Sequence, residues 1–267
     1  MISPEDGGRP AATPAPSATP SKPRFPLPPL LRSRLTGEAV RDLHQLEEYV
    51  PAWLRPTPGE NRLPLAGAIL VAASLQFALP ARFGLHPRWL LPTLELALFV
   101  PLTVLNPIRL TRATRAGRYL SIALVAAISV DNGLSAGLLD YDLVTGKAGD
   151  AAGPLLAAAA AIYLTNVIVF GIWYWEYDRG GPFERAKAAR HYPDFLFPQM
   201  ASPEVAHPNW EPNFVDYLYV SFTNATAFSP TDTMPLSRWA KVLMGLQSAV
   251  SLSTTALVIA RAVNILK

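Results

Sequence analysis

The sequence contains no cysteine and few charged residues. Without cysteine, the chain can form no disulfide, no thiolate metal site and no cysteine nucleophile. Only 16% of its 267 residues are charged, whereas a soluble globular chain has about 25%. Because a water-soluble domain of this length needs more charge to cover its surface, the composition counts against one. The net charge of +3 is too small to predict a nucleic-acid partner.

The usual sequence signals of an enzyme are also missing. The four histidines are scattered, and no pair has the spacing of a metal site. The chain has no glycine-rich phosphate loop and no nucleophile elbow. We therefore predict that the protein is not an enzyme and that it needs no metal or cofactor.

Proline, in contrast, is abundant, with 27 residues, many of them near the N-terminus. Residues 1–35 mix proline with alanine, serine and threonine, which predicts a disordered tail. In residues 36–62 we expect a juxtamembrane amphipathic helix and a linker, because apolar residues recur there every three or four positions. A helix on the membrane surface and a solvated linker helix both fit this pattern.

From residue 63 onwards the chain is a series of apolar segments. A helix needs about 20 residues to cross a bilayer core of about 30 Å. The sequence therefore predicts an all-α fold, a polytopic membrane helix bundle over residues 63–267. It has five firm transmembrane helices plus a sixth segment that is short or re-entrant. The expected spans are 63–80, 90–106, 119–139, 153–175 and 239–265, and the sixth segment is 213–230.

The charged residues between the spans predict an orientation. Segment 107–118 carries four arginines and no acidic residue, whereas segment 140–152 carries three aspartates and one lysine. The positive-inside rule then assigns the arginine segment and the N-terminus to the cytoplasm. We expect a multi-pass protein of the cell (inner) membrane with the lipid bilayer as a partner. Arg261 and Lys267 favour a cytoplasmic C-terminus, which requires an even number of spans.

Polar residues inside the apolar spans form the first group of candidate site residues. Glu95 and Asp131 lie at similar distances from the cytoplasmic ends of their spans, so they should lie at equal depth. Asn166 and Gln247 add side-chain amides in later spans. Such a group is either a polar midplane site for a cation or a proton, or a set of interhelical hydrogen bonds that hold the bundle together.

Residues 213–265 resemble the two-helix pore module of potassium channels. Residues 216–223 resemble its pore helix, residues 227–232 occupy the place of its selectivity filter, and Pro235 matches a later proline. Both filter glycines are replaced, by Ser229 and Thr231, which predicts a degenerate filter that does not select potassium. The resemblance implies these pore-like candidates: Thr223, Asn224, Thr226, Thr231 and Asp232.

Residues 63–267 also resemble an uncharacterised family of bacterial integral membrane proteins. The shared patterns are Asp-Tyr-Leu-Tyr-Val-Ser-Phe-Thr at 216–223, Ser-Pro-Thr-Asp-Thr at 229–233 and Ala-Val-Asn-Ile at 262–265. This resemblance implies no specific activity.

Two functions remain open on the sequence. One is a channel-like or permease-like bundle related to the ion-channel pore module. The other is a non-transporting membrane scaffold or interaction protein that uses its N-terminal tail and surface helix. Gly245, Ala249 and Ser253 form a small-residue stripe that allows close helix packing, within the bundle or in a homo-oligomer.

Overall fold

Helices make up most of the chain in a computed structural model of the protein. The structure describes residues 50–83, 89–105, 115–147, 152–227 and 232–265. Several sequence predictions fall outside these residues. They concern the tail and surface helix up to residue 49, Arg109, Arg112, Asp150, Ser229, Thr231 and Lys267.

The described residues contain eight α-helices, three short 3-10 turns and one strand pair. In chain order they are α1 (Leu63–Ala78), α2 (Leu90–Leu105), α3 (Arg115–Val144), α4 (Ala152–Tyr177), α5 (Pro182–Ala186), α6 (Pro198–Ala201), α7 (Phe214–Ala227) and α8 (Arg238–Ile265). Short 3-10 turns lie at Ala52–Leu54, Ala81–Phe83 and Asp178–Gly180. Strands β1 (Phe195–Leu196) and β2 (Met234–Pro235) pair antiparallel, with Phe195 opposite Pro235.

Within the described residues, three helical segments are long and apolar enough to cross a membrane: Ala116–Val144, Gly153–Gly180 and Arg238–Val263. The predicted helical fold is confirmed, but five firm spans are not shown. Helices α1 and α2 have 16 residues each, a length of about 24 Å at 1.5 Å per residue. That is shorter than a bilayer core of about 30 Å. Helix α7 is shorter still, with 14 residues.

Helix α3 extends beyond the predicted span at both ends. It begins at Arg115 and ends at Val144, so Arg118, Asp140 and Asp142 lie on the helix and not in loops. A helix can continue past its apolar part because charged residues form helix as well as many apolar ones do. Hydropathy therefore marked the apolar part of α3 and missed its ends.

Helix α4 is the centre of the bundle. It packs against α1, α3, α7 and α8, while α2 packs mainly against α3, and α8 also contacts α3 and α7. Buried residues occur on every side of α4, from Leu155 to Glu176. This matches its sequence, which is apolar all round and has no polar face to turn to solvent.

One end of the bundle gathers the end of α4 and the starts of α3, α7 and α8. The Arg118 guanidinium donates a hydrogen bond to the Gly180 carbonyl (2.5 Å). The Tyr217 hydroxyl donates to the Asp178 carboxylate (2.6 Å), and the Trp239 indole N–H donates to Asp194 (2.9 Å). We call this end the cap end. Helices α7 and α8 both begin there, and β2, between them in the chain, pairs with β1 beside Asp194.

The first and last long helices run between the two ends of the bundle. Helix α1 begins at the cap end, where Glu60 pairs with Arg185, and α8 begins there and runs away from it for 28 residues. The start of α1 and the end of α8 therefore lie at opposite ends. The chain is already back at the cap end at β2, after α7. The even number of spans that Arg261 and Lys267 favoured stays a prediction.

Candidate functional site

A layer of buried polar side chains divides the hydrophobic core into two clusters. Leu65 and Ile69 on α1 belong to one cluster, and Leu79, directly after α1, belongs to the other, with buried Gln76 between them. The other long helices of the bundle show the same change from apolar to polar and back. We call this set the polar layer; its members are Gln76, Glu95, Asp131, Asn132, Ser135, Thr165, Asn166, Ser221, Asn224, Gln247, Ser251 and Thr254.

The helical repeat explains how α3 contributes to the layer. Asp131 and Ser135 are four residues apart and so lie on one face, below Ile128, which belongs to the first apolar cluster. Asn132 lies on the neighbouring face, together with Leu139 of the second cluster. The sequence thus inserts one polar turn into an otherwise apolar stripe. A layer of this kind must either form hydrogen bonds inside the protein or hold something polar.

Hydrogen bonds satisfy the part of the layer between α4, α7 and α8. Gln247, fully buried, is its centre. Its amide oxygen accepts from the Tyr174 hydroxyl (2.5 Å) and from the Asn224 amide (2.8 Å). Its amide nitrogen donates to the Ser221 carbonyl (3.0 Å) and to the Ser221 hydroxyl (2.7 Å). Both ends of this amide are therefore occupied.

The neighbours of Gln247 are satisfied in the same way. The Asn224 amide also donates to the Met244 carbonyl (3.0 Å), and the Ser221 hydroxyl donates to the Val167 carbonyl (2.6 Å). Further along α8, the Asn166 amide donates to the Ser251 hydroxyl (2.8 Å). We call this group the saturated half of the layer; it consists of the layer members Asn166, Ser221, Asn224, Gln247 and Ser251, together with Tyr174, which bonds to Gln247 from the first apolar cluster. It binds three helices together.

The rest of the polar layer contains buried side-chain atoms that lack hydrogen bonds. Buried side-chain atoms that make no hydrogen bond within the described structure include both carboxylate oxygens of Glu95 and both amide atoms of Gln76. The others in the layer belong to Asn132, Ser135, Thr165 and Thr254. We call the group on α1 to α4 the unsaturated half; it consists of Gln76, Glu95, Asn132, Ser135 and Thr165, together with Asp131, the acid beside Glu95. Thr254, on α8, belongs to neither half.

Glu95 is the centre of the unsaturated half. Its side chain is only 1% exposed. Asp131 lies near enough to act on it as a like charge, and the Gln76 amide lies near enough to act as a weak hydrogen-bond donor. Among the described residues, neither Glu95 nor Asp131 forms an ion pair. Burying a carboxylate without a partner is so unfavourable that the group normally takes up a proton or binds a counter-charge.

The structure separates the sequence-predicted site residues into groups. Glu95 and Asp131 come together in the unsaturated half, and Asn166, Asn224 and Gln247 lie across α4 in the saturated half. The remaining pore-like candidates do not join either half. Thr223 donates to the Val220 carbonyl (3.0 Å), and exposed Thr226 bonds to the Phe222 carbonyl (2.7 Å). Asp232 is exposed beyond the end of α7, and Thr231 lies outside the described residues.

Sequence reasoning missed several members of the two halves, and four of them show why. Gln76, Asn132 and Ser135 lie beside the predicted acids, and Tyr174 completes the Gln247 network. The spacing of Asp131 and Ser135 was a usable signal, because residues four apart share a helix face. Tyr174 gave no such signal, since it belongs to an aromatic run that also fits a membrane interface.

A second buried polar cluster lies at the cap end and is saturated. Asp178, fully buried, accepts hydrogen bonds from the backbone N–H of Asp194 (2.8 Å) and from the Tyr217 hydroxyl (2.6 Å). The Arg179 guanidinium lies 3.4 Å from the same carboxylate. Arg179 itself adopts a left-handed backbone conformation (φ 51°) and donates its N–H to Asp194 (2.8 Å). These contacts fasten the end of α4 to β1 and α7.

Arg185 binds Glu60, which lies shortly before α1, to the same polar cluster. Its guanidinium donates to Glu60 (2.7 and 3.0 Å) and to the Trp175 carbonyl (2.5 Å). Burial by itself lowers the pKa of this group, but the negative charges of Glu60 and Asp178 outweigh burial and raise it. Arg185 is therefore a permanently charged structural residue. Since each of its charged neighbours already has partners, the cap cluster offers little to a ligand.

The arrangement as a whole favours one place for a small polar ligand, the unsaturated half of the layer. Among the described residues, no group of three or more His, Cys, Asp or Glu side chains could hold a metal ion. The chain matches no protein-family model, no curated protein and no solved structure in the comparisons made.

Proposed function

We propose that the protein is an integral membrane protein that binds a small cation or a proton in the unsaturated half of its polar layer, as a channel-like or permease-like bundle. The single observation that carries the proposal is the buried carboxyl of Glu95, which makes no close hydrogen bond and no ion pair with a described residue and lies beside the like charge of Asp131. Support for the membrane comes from the three helices long and apolar enough to cross one. The expected location is the cell (inner) membrane, with the N-terminus in the cytoplasm.

The saturated half supports this assignment by contrast. A layer that served only to hold helices together would be expected to look like the Gln247 network, in which both ends of the amide are bonded. Unsatisfied buried polar groups cost about 1–3 kcal/mol each. A fold carries such a cost where the groups have another use, and binding a polar species is the use that fits carboxyl and amide side chains.

The positions and hydrogen bonds of α7 and α8 bear on the resemblance to a potassium-channel pore module. Helices α7 and α8 both begin at the cap end, and β2 lies at that end too, which supports a re-entrant segment at 213–230 in place of a short span. However, Asn224 and Gln247 use their amides to bind α7 to α8. We propose that any conducting path runs between α1, α2, α3 and α4, and not along α7 and α8.

The direct test is flux into proteoliposomes that contain the purified full-length protein. We expect wild-type protein to move protons or a small cation, and the Glu95→Gln, Asp131→Asn double variant to lose this flux. The matched control is Asp140→Asn, which removes an acid of the same helix α3 outside the layer, where Asp140 accepts from Ser253 (3.1 Å). Equal flux in wild type and double variant would contradict the assigned site, and no flux in wild type would contradict transport.

A non-transporting scaffold remains the alternative. It uses the N-terminal tail and surface helix, which lie outside the described residues, and it predicts that deletion of residues 1–35 abolishes function while the double variant is tolerated. A homo-oligomer likewise stays a prediction.

A further inference from the structure

We propose that the species bound in the unsaturated half is a proton, and that Glu95 is its carrier with Asp131 as the second acceptor. This inference rests on the proposed function and narrows it, from a cation or a proton to a proton alone. It makes Glu95 a neutral carboxylic acid in the resting protein.

The surroundings of Glu95 favour the neutral acid. The side chain is 1% exposed and neither of its oxygens makes a close hydrogen bond, so the nearby Gln76 amide compensates a negative charge only weakly. Asp131, only 6% exposed, is a like charge beside it. Two neighbouring buried carboxylates cannot both stay ionised, and one of them keeps its proton. Gln76, with both amide atoms unbonded, can turn either its donor or its acceptor towards that acid.

Other charged groups near Glu95 do not change this conclusion. Helix α2 packs against α3 and α1, and the acid that faces Glu95 from α3 is Asp131. At the start of α1, the Arg62 guanidinium carbon lies 5.9 Å from the centre of the Phe99 ring, one helical turn from Glu95.

A metal cation fits the same geometry less well. Calcium takes about six to eight oxygen ligands and magnesium a near-octahedral set. The side chains recorded beside Glu95 are Asp131 and Gln76, which together with Glu95 offer five oxygens at most. A proton needs only one oxygen at a time. Its transfer breaks the O–H bond of Glu95 and forms an O–H bond on the Asp131 carboxylate, so that the negative charge moves to Glu95 and the total charge of the pair is unchanged.

Chemical labelling of the full-length protein in liposomes tests this inference without measuring transport. Dicyclohexylcarbodiimide is apolar and reacts with protonated carboxyl groups: the O–H adds across a C=N bond, and the product rearranges to a stable N-acylurea. We expect mass spectrometry to find this adduct on Glu95 at about pH 6, and to find about tenfold less of it at about pH 10. Glu95→Gln should lose the adduct in that peptide, and Asp140→Asn should keep it.

Each outcome of the labelling is decisive for the proton. Absence of the adduct on Glu95 in intact wild-type protein at about pH 6 would overturn the inference. Protection of Glu95 by sodium, potassium, magnesium or calcium ions at constant pH would also overturn it, and would assign the site to that cation while the proposed function survived. Labelling of Glu95 without proton flux in proteoliposomes would support the buried proton and reject transport. Because wild-type protein carries the pH profile, the test does not depend on any variant folding.

Discussion

The two halves of the polar layer contain similar residues and treat them in opposite ways. Gln247 and Gln76 are both glutamines, both on helices of the bundle and both buried. Gln247 forms four hydrogen bonds to three residues, whereas neither amide atom of Gln76 has a hydrogen-bond partner within the described structure. Burial and residue type are thus equal, and the difference lies in the neighbours that each helix brings.

This difference teaches that a buried polar residue in a membrane helix does not by itself indicate a functional site. The saturated half has the chemistry of an interhelical fastening, in which each member satisfies another. The unsaturated half contains two acids, Glu95 and Asp131. Neither of them forms an ion pair with a described residue. The number of unsatisfied atoms, and not the number of polar residues, separates the two. The variant with the largest expected effect on stability removes a residue from the saturated half.

Gln247→Leu should lower the free energy of unfolding by about 2–3 kcal/mol. The substitution keeps the approximate volume but leaves the Tyr174 hydroxyl, the Asn224 amide and the Ser221 hydroxyl short of a partner in a dry interface. The measurement is reversible unfolding in detergent, followed by the loss of helical circular dichroism. An unchanged unfolding midpoint would mean that water or another side chain replaces the amide, and the saturated half would lose its structural role.

A smaller effect is expected for the pair Asn166 and Ser251, which share one hydrogen bond (2.8 Å) between α4 and α8. A double-mutant cycle with Asn166→Val and Ser251→Ala should give a coupling free energy of about 0.6–1.7 kcal/mol, the range for such bonds in membrane bundles. The cycle uses the same unfolding measurement. Proton or cation flux should stay unchanged in both single variants, because the pair lies outside the unsaturated half.

A coupling free energy near zero for this pair, or a loss of flux in Asn166→Val with normal stability, would break the comparison. In that case Asn166 would belong with the acids, as the sequence prediction of a single midplane group implied. The control is Ser253→Ala, whose hydroxyl lies on the exposed side of α8 and bonds to Asp140 (3.1 Å).

Some features of the fold could be predicted because they depend on local sequence patterns. Others could not, because they depend on long-range contacts. The apolar cores of α3, α4 and α8 lie in continuous apolar runs, so hydropathy located them. The pairing of Glu95 with Asp131 followed from equal depth on adjacent antiparallel helices. Helix α7 was harder, since its direction relative to α8 depends on Tyr217 and Trp239 meeting the same cap cluster through Asp178 and Asp194. Those contacts are long-range and leave no periodic signal.

The division of the polar layer into two halves could not be predicted from the sequence either, because it also depends on long-range contacts. Asn166 and Thr165 are adjacent in α4, yet Asn166 bonds to Ser251 while the Thr165 hydroxyl makes no hydrogen bond to the described residues. Adjacent residues point about 100° apart on a helix and so meet different neighbours. Only packing decides which of them finds a partner. The sequence shows only that both residues are polar and lie at similar depth, so it does not distinguish them.

The smallest expected effect belongs to Gln76→Leu, the counterpart of Gln247→Leu in the other half. Because the Gln76 amide makes no hydrogen bond that could be lost, replacing it by an apolar group of similar shape should change the free energy of unfolding by less than about 0.5 kcal/mol, or stabilise the protein. The unfolding measurement is the same, and flux should fall because Glu95 loses its amide neighbour. A cost equal to that of Gln247→Leu would mean that Gln76 is bonded through buried water, and the two halves would then differ only in whether protein or solvent supplies the partner.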